Sequence, residues 1–188
     1  DIKETQTPSI EEIKSYSKYL GVLHSQTNNI KCNFTVEEDF DHFYKLFKQL
    51  EKNTIGLNED QKRTFIRLGE NLSLISEIKH KLPVVRSHGE YTIQHVRFKN
   101  DELYRILDWD GIGLDYSVLD LGTSLTASIG SNRVNLQKLS VMIDAYTKQR
   151  DLNIVERQYL WNGMLYGASK FILWSLDDNE LKENGINE

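Results

Sequence analysis

The chain has 188 residues, of which 39% are hydrophobic and 27% charged, a composition that fits one globular domain and excludes a disordered chain. The net charge is −5, there is no dense run of Lys and Arg, and no apolar run approaches the ~18 residues that span a bilayer, so neither nucleic acid nor membrane is an expected partner. The single cysteine, Cys32, cannot form an internal disulfide, which favours a reducing, cytoplasmic location.

Helical spacing of apolar residues extends from Thr7 to His80 and predicts three successive helices. Thr7 and Pro8 suit a helix start, as a capping hydroxyl followed by proline in the first turn. Thr35 is predicted to cap the second helix, and the third is predicted to run from about Asn58 to His80. The apolar positions of the three helices are Ile10, Ile13, Tyr16, Leu20 and Leu23, then Val36, Phe40, Phe43, Phe47 and Leu50, then Phe65, Leu68, Leu72, Ile75 and Ile78.

The pattern changes at Leu82-Pro83, where a short β-branched pair, Val84-Val85, predicts a strand. Two further segments, residues 95–98 and 103–109, alternate or run apolar, and turn residues join them at 99–102. This arrangement is typical of a β-hairpin.

Beyond residue 115 the helical spacing returns, and helices are predicted over residues 117–129, 134–146 and 154–176. Three aromatic residues of the last helix, Trp161, Phe171 and Trp174, are expected to pack in the core. The expected fold is mainly α with a small β-hairpin region, an α+β class, in a single domain over residues 1–188.

Six polar residues that can carry chemistry fall around the hairpin, and they are His88, Glu90, His95, Asp108, Asp110 and Asp120. A hairpin would bring the loop before His95 and the end of the second strand to one edge, so that Glu90, His95 and Asp108 could converge. One carboxylate there can orient or deprotonate a hydroxyl, and a second, at a strand end, can hold Mg²⁺. Two other interpretations stay open: loop carboxylates beside a satisfied histidine, and a zinc or iron site built from His88, His95 and Asp108.

Residues 88–98 read His-Gly-Glu-Tyr-Thr-Ile-Gln-His-Val-Arg-Phe. This segment resembles the catalytic loop H-G-D-x-x-x-x-N-V-x-F of aminoglycoside phosphotransferases and choline-kinase-like enzymes, small-molecule relatives of protein kinases. Residues 106–110, Ile-Leu-Asp-Trp-Asp, resemble the metal-binding I-D-W-D/E segment of that family, and residues 120–122, Asp-Leu-Gly, resemble the D-L-A/G that follows. The helix that ends in Leu23-His24 resembles the family's helix after the hinge.

The resemblance implies a role for each polar residue by its position in the motif. Asp108 would chelate a phosphate-bridging Mg²⁺, and Glu90 would stand where the family's catalytic aspartate orients or deprotonates the acceptor hydroxyl. His95 would stand where an asparagine binds metal. Glu90 adds a methylene relative to aspartate, a displacement that can lower the rate roughly 10²-fold. His95 puts an imidazole nitrogen where Mg²⁺ prefers oxygen, so the two departures together favour weak or lost activity.

The other three polar residues would support the site. The resemblance places His88 in the catalytic loop, where it would brace the loop more than take part in the chemistry. Asp110 would either reach the metal or support Asp108. Asp120 would tie down the catalytic loop through hydrogen bonds.

The resemblance also implies an N-terminal lobe that covers the nucleotide, and no phosphate loop or strand lysine precedes Thr7. We therefore expect this chain to be the C-terminal, catalytic lobe of a longer ATP- and Mg²⁺-dependent phosphotransferase. Its acceptor would be the hydroxyl of an aminoglycoside-, choline- or sugar-like molecule. The alternative is a pseudokinase-like binding or scaffold protein that has lost turnover.

The acidic charge is a hint that the acceptor is cationic. Four carboxylates lie toward the C-terminal end, and they are Glu156, Asp177, Asp178 and Glu180. A solvated helix face is the favoured interpretation of these four residues.

Overall fold

Three helices form the first part of the chain, as the apolar spacing predicted. A computed structural model describes residues 2, 7–26, 39–51, 58–129 and 134–183, with side chains as far as residue 176. Helix α1 spans Ile10–Ser25, α2 spans Phe40–Leu50 and α3 spans Glu59–Ile78, after which Lys79–Lys81 form a single 3-10 turn. None of the helices in these described ranges is long and apolar enough to cross a membrane.

The starts of α1 and α2 differ in detail from the prediction, and that of α3 agrees with it. Ser9, not Thr7, caps α1, because the Ser9 hydroxyl accepts from the N–H of Glu12 while the Glu12 carboxylate accepts from the N–H of Ser9. Asp39 caps α2, and Asn58 caps α3. The predicted cap at Thr35, with Val36 and Cys32, lies outside the described residues.

The predicted hairpin is confirmed, with shorter strands. Strand β1 spans Val84–Ser87, β2 spans Val96–Lys99 and β3 spans Glu102–Ile106. Between β2 and β3, Asn100 and Asp101 both have positive φ, at 52° and 62°, which is the requirement of a two-residue type I′ turn.

A fourth strand, β4, spans Gly113–Tyr116 and was not predicted. It pairs antiparallel with β1, with Val84 opposite Tyr116 and Ser87 opposite Gly113, so the protein has two small two-stranded sheets in its described part. Because β3 ends at Ile106, residues 107–112 form a connection between the two sheets rather than a continuation of the hairpin strand.

Three helices follow the sheets. They are α4, Ser117–Ile129; α5, Leu136–Thr147; and α6, Ile154–Glu183. Helices α4 and α6 cross at close range, since a Cβ atom added to Gly122 would lie 2.1 Å from the backbone carbon of Gly163. A side chain at either glycine would push the two helices apart.

Two hydrophobic clusters form the core. One lies under the hairpin of β2 and β3 and joins α1, α4 and α5, and the other joins α2, α3, α4 and α6. Trp174 packs against Phe43 in the second cluster, as predicted for an aromatic residue of α6. The prediction was wrong for Trp161, which is 56% exposed, because it lies on the outer face of the helix.

Candidate active site

The site is formed where two loops lie side by side at the ends of the sheets. The first, residues 88–95, joins β1 to β2, and the second, residues 107–112, joins β3 to β4. The N–H of Leu107 donates to the carbonyl of His95 at 2.8 Å, and His88 Nε2 lies 2.7 Å from the carbonyl of Leu107. These contacts keep the two loops in register across the hairpin.

Glu90, His95 and Asp108 converge, as the sequence predicted from the hairpin. One ligand-capable atom from each side chain lies within 4.8 Å of the other two. His95 Nε2 is 3.5 Å from Asp108 Oδ2, while His95 Nδ1 is 2.9 Å from the carbonyl of Glu90. Asp110 is exposed and is not part of this cluster.

His88 is fully buried behind the cluster rather than in it. Burial lowers the pKa of His88 below its ordinary value, although its hydrogen bond to the Leu107 carbonyl acts in the opposite direction. The neutral ring therefore donates through Nε2, and Nδ1 has no hydrogen-bond partner among the described residues. The alternative metal site of His88, His95 and Asp108 is not the group that the structure assembles.

Asp120 is connected to the first loop through Ser87. The Ser87 hydroxyl hydrogen-bonds to Asp120 and accepts from the N–H of Gly89 at 2.8 Å. His24 Nε2 lies 2.9 Å from Asp120 Oδ2, and its Nδ1 lies 2.7 Å from the hydroxyl of Tyr146. Burial acts to raise the pKa of Asp120, but His24, Ser87 and Lys170 outweigh it and hold the pKa below the ordinary value.

Helix α1 also holds the first loop. Tyr16 donates its hydroxyl to the carbonyl of Tyr91 at 2.6 Å, and Tyr91 donates its own to the carbonyl of Tyr16 at 2.9 Å. The two rings stack with centroids 4.5 Å apart. On the hairpin, Ser15 Oγ accepts from the N–H of Leu103 and donates to Glu102. Helix α1 is thus attached to the first loop at Tyr91 and to the start of β3 at Glu102 and Leu103.

Lys170, which sequence reasoning missed, reaches the site from α6. It is 4% exposed, and its Nζ donates to the carbonyl of Gly89 at 2.9 Å. Its ammonium lies 5.1 Å from the ring centroid of Phe43 and 4.7 Å from that of Trp174, distances typical of cation–π contacts. The available signal was a single lysine within an apolar stretch, Gly-Ala-Ser-Lys-Phe-Ile-Leu-Trp.

Asp115 on β4, which is half-buried, is a second charged residue that sequence reasoning missed. Burial and the charge of Asp120 raise its pKa to about 7, against the hydrogen bond from the Tyr116 N–H and the charge of Lys170. Lys170 is therefore the cation that faces both carboxyl groups behind the loop. Removal of a cation so placed would leave both carboxyl groups without its charge.

A cleft of about 330 Å³ opens beside Glu90. Its lining residues come from the first loop, α4 and α6, and they are Glu90, Thr92, Ile93, Gln94, Ala127 and Phe171. The buried hydroxyl of Thr92 has no hydrogen-bond partner among the described residues. A small polar molecule in this cleft would contact a carboxylate, a free hydroxyl and an aromatic ring.

Glu156, one of the four C-terminal carboxylates, does not lie on an acidic surface. Glu156, expected on a solvated surface, is buried, where it accepts from Arg150 at 2.7 Å, from the N–H of Asn153 at 2.9 Å and from Ser117. It caps α6 and contributes to stability rather than to binding. The side chains of Asp177, Asp178 and Glu180 lie outside the described residues.

Two of the three ligand atoms in the cluster of Glu90, His95 and Asp108 suit Mg²⁺. Asp108 and Glu90 offer the carboxylate oxygens that Mg²⁺ prefers, and Asp108 is partly open to solvent. The third ligand atom is an imidazole nitrogen, which Mg²⁺ binds poorly. The residues are therefore suited to a divalent metal, with a mixed donor set.

No family model matches the sequence, and no curated protein is significantly similar to it. Solved structures do share its fold. A choline/ethanolamine kinase family protein from Mesorhizobium loti superposes with a TM-score of 0.63 and 17% identity, over 92% of this chain and 57% of the other. The choline kinase LicA from Streptococcus pneumoniae superposes with a TM-score of 0.64 and 13% identity, over 96% and 60%.

An aminoglycoside phosphotransferase from Streptomyces rimosus, solved with ADP and streptomycin, superposes with a TM-score of 0.56 and 11% identity, over 86% of this chain and 65% of the other. The chain therefore has the fold of the C-terminal lobe of choline-kinase-like proteins, which confirms the fold that the motifs in residues 88–122 predicted. It spans between 57% and 65% of the length of these three structures.

Gly89→Ala is expected to lower the free energy of unfolding by about 2 kcal/mol or more, because left-handed backbone at a non-glycine residue is strained. Gly89 has a φ of +87°, and an added Cβ would lie 2.3 Å from the carbonyl oxygen of Gly111. The matched control is Gly111→Ala, where the nearest atom is 3.5 Å from the new Cβ, and a change below about 0.5 kcal/mol is expected. Urea unfolding measures both; an equal loss in the two variants would contradict the geometric argument.

Proposed function

We propose that the protein is the catalytic lobe of an ATP-dependent phosphotransferase that acts on a hydroxyl group of a small molecule. The observation that carries the proposal is the position of Glu90. Its carboxylate belongs to the cluster with Asp108 and His95, and its side chain also lines the 330 Å³ cleft. A group in this position can contact an acceptor in the cleft while a nucleotide phosphate lies at the cluster.

Each residue of the cluster would have a separate part in the reaction. Glu90 would orient the acceptor hydroxyl and take its proton as the new O–P bond forms. Asp108 would hold a divalent metal, which supplies positive charge to the phosphate oxygens. His88 would hold the second loop against the first through its hydrogen bond to the Leu107 carbonyl. Asp120 would hold the first loop through Ser87.

The cleft favours an acceptor that is both small and cationic. Its volume of about 330 Å³ is at the lower end for small-molecule sites, and the Glu90 carboxylate and the Phe171 ring both attract an ammonium group. The neighbouring structures are named for choline, ethanolamine and aminoglycoside substrates. An amino alcohol or an amino sugar is the acceptor class that we expect here.

A pseudokinase-like scaffold is the second candidate, and one observation favours it. His95 Nε2 lies 3.5 Å from Asp108 Oδ2, so a protonated His95 would form an ion pair with Asp108. That imidazolium would neutralise the carboxylate without any metal. A protein of this kind would keep the fold and a ligand cleft but would not transfer phosphate.

An assay of phosphoryl transfer distinguishes the enzyme from the scaffold. It uses the full-length native protein with Mg²⁺, ATP and a panel of amino alcohols and amino sugars. We expect slow transfer by the wild type. The double variant Glu90→Asp with His95→Asn is expected to raise that rate by about ten-fold, because it restores the shorter carboxylate and the oxygen ligand of the resembling motif. A ten-fold gain requires ~1.4 kcal/mol of additional transition-state stabilisation. Each single change should help less than the pair, since both act on the same phosphoryl group.

Two outcomes contradict this expectation. A fall in rate in the double variant would show that the site is adapted to Glu90 and His95, and it would overturn the weakened-enzyme interpretation. If no phosphoryl transfer is detected in the wild type, either single variant or the double variant, the phosphotransferase proposal is overturned in favour of the scaffold. Circular dichroism of all four proteins checks that each is folded.

A further inference from the structure

The cluster of Glu90, His95 and Asp108 has a ligand set that differs from that of a purely oxygen-donating magnesium site. Two carboxylates and one imidazole, with atoms within 4.8 Å of one another, surround a single position. Imidazole nitrogen binds zinc and other first-row transition metals far better than it binds magnesium. Three protein ligands and one open side are the arrangement of many catalytic zinc sites.

The hydrogen bond on the far side of His95 fixes which ring nitrogen faces the cluster. His95 Nδ1 lies 2.9 Å from the carbonyl oxygen of Glu90, and a carbonyl can only accept, so Nδ1 carries the proton. Nε2 is then the nitrogen whose lone pair is directed at Asp108 in the neutral ring. Metal-binding histidines are typically held in this way, with the second ring nitrogen donating to a carbonyl or carboxylate.

The backbone at Asp108 is held in a conformation that aims its side chain at this position. Asp108 has a φ of 59°, in the left-handed region that residues other than glycine rarely adopt. Backbone strain of this kind persists where the surrounding structure enforces it, as the pairing of Leu107 with His95 does here. The side chain of Asp108 is 50% exposed and that of His95 19%, so an ion can enter from solvent.

We propose that Glu90, His95 and Asp108 form a transition-metal site that binds Zn²⁺ or Co²⁺ in preference to Mg²⁺ and does so without nucleotide. His95 Nε2 supplies the nitrogen ligand, and Glu90 and Asp108 supply one oxygen each. The remaining positions are taken by water. The site needs only the two adjacent loops, so metal binding there does not depend on phosphoryl transfer.

Cobalt is the probe of choice because its visible absorption reports the ligands directly. This chain carries a single thiol, Cys32, so every variant is prepared in a Cys32→Ser background to remove the competing sulfur ligand. Titration with Co²⁺ is followed by absorption, and titrations with Zn²⁺ and Mg²⁺ are followed by calorimetry, all without nucleotide. We expect one Co²⁺ per chain and an affinity for Zn²⁺ at least ~100-fold above that for Mg²⁺.

The decisive comparison is between His95→Asn and His80→Gln. His95→Asn should lower the Co²⁺ affinity by at least ~10-fold and leave Mg²⁺ binding within about two-fold of the starting protein, because only the nitrogen ligand is lost. His80 is exposed beyond α3, and His80→Gln should leave every affinity unchanged. Asp108→Asn, which retains the shape of the side chain, should also lose Co²⁺.

The proposal is overturned if Co²⁺ does not bind, or if it binds equally well to His95→Asn and to the starting protein. Loss of binding in His80→Gln would place the metal elsewhere and would overturn it as well. These outcomes are separate from those of the phosphotransfer assay. Absence of Co²⁺ binding leaves Mg²⁺-dependent transfer intact, and a protein without transfer can still bind Co²⁺.

Discussion

Asp108→Asn is expected to lower the rate of phosphoryl transfer by the native protein by about 10³-fold, the upper range for loss of one preorganised electrostatic group. The physical reason is the loss of the formal negative charge that Asp108, in the loop after β3, supplies to the cluster. The amide keeps the size and the hydrogen-bonding shape of the side chain, so the left-handed backbone at this position is retained. Initial rates at saturating ATP measure the effect.

Asp110→Asn is the matched comparison, because it makes the same chemical change two residues further along the loop. Asp110 is exposed and lies outside the cluster, so a loss below about ten-fold is expected. Equal losses in the two variants would show that Asp110 reaches the metal as well. An undiminished rate in Asp108→Asn would remove Asp108 from the reaction.

Lys170→Met is expected to lower the free energy of unfolding by about 3 kcal/mol, because it removes one partner from a buried group of charges. Methionine preserves the apolar stem against Phe43 and Trp174 but cannot donate to the carbonyl of Gly89. Asp120 then stays buried without the lysine charge. Since Gly89 precedes Glu90, transfer activity should fall together with stability.

Lys14→Met is the control for removal of a lysine charge. Lys14 pairs with Glu11 on the surface of α1 at 3.1 Å, and both side chains are more than half exposed. Exposed pairs of this kind contribute little, so a change below about 0.5 kcal/mol is expected. Chemical denaturation compares the two variants, and similar losses would contradict a special role for Lys170.

Asp115→Asn tests the same buried group through pH. The pKa of Asp115 is raised in the folded protein to about 7, from an ordinary value of 3.8. The unfolded chain therefore releases this proton first, and the stability that Asp115 contributes below about pH 4 is lost as pH rises to about 7. The asparagine variant lacks that decline, so its stability relative to wild type should rise by about 3 kcal/mol between pH 4 and pH 7. A constant difference between pH 4 and 7 would contradict the raised pKa.

Much of the candidate site was predictable because its residues are close in sequence. Glu90 and His95 belong to one short loop, and Asp108 follows the strand that a two-residue turn pairs with the strand after His95. The convergence of the three follows from hairpin geometry once the turn is recognised. Asp120 was assigned to the loop by resemblance, and its contact through Ser87 agrees with that role.

Lys170 and Asp115 could not be assigned in this way. Lys170 is 81 residues from the carbonyl that it contacts, and its spacing within α6 says only that it lies on a helix. Glu156 was wrongly expected on a solvated face for the same reason. Whether a charged residue is buried depends on what other segments supply, in this case Arg150 and Ser117.

The sequence by itself determined the helices, the hairpin and the motif order, because helix periodicity and turn chemistry act over a few residues. The bounds of α4 were predicted to the residue, and positive φ at Asn100 and Asp101 makes the hairpin turn a local property. Only the tertiary structure decided that β4 pairs with β1 and that Lys170 is held behind the loop. These contacts join segments that are distant in sequence, so they depend on how the helices and sheets pack and not on the local pattern of residues.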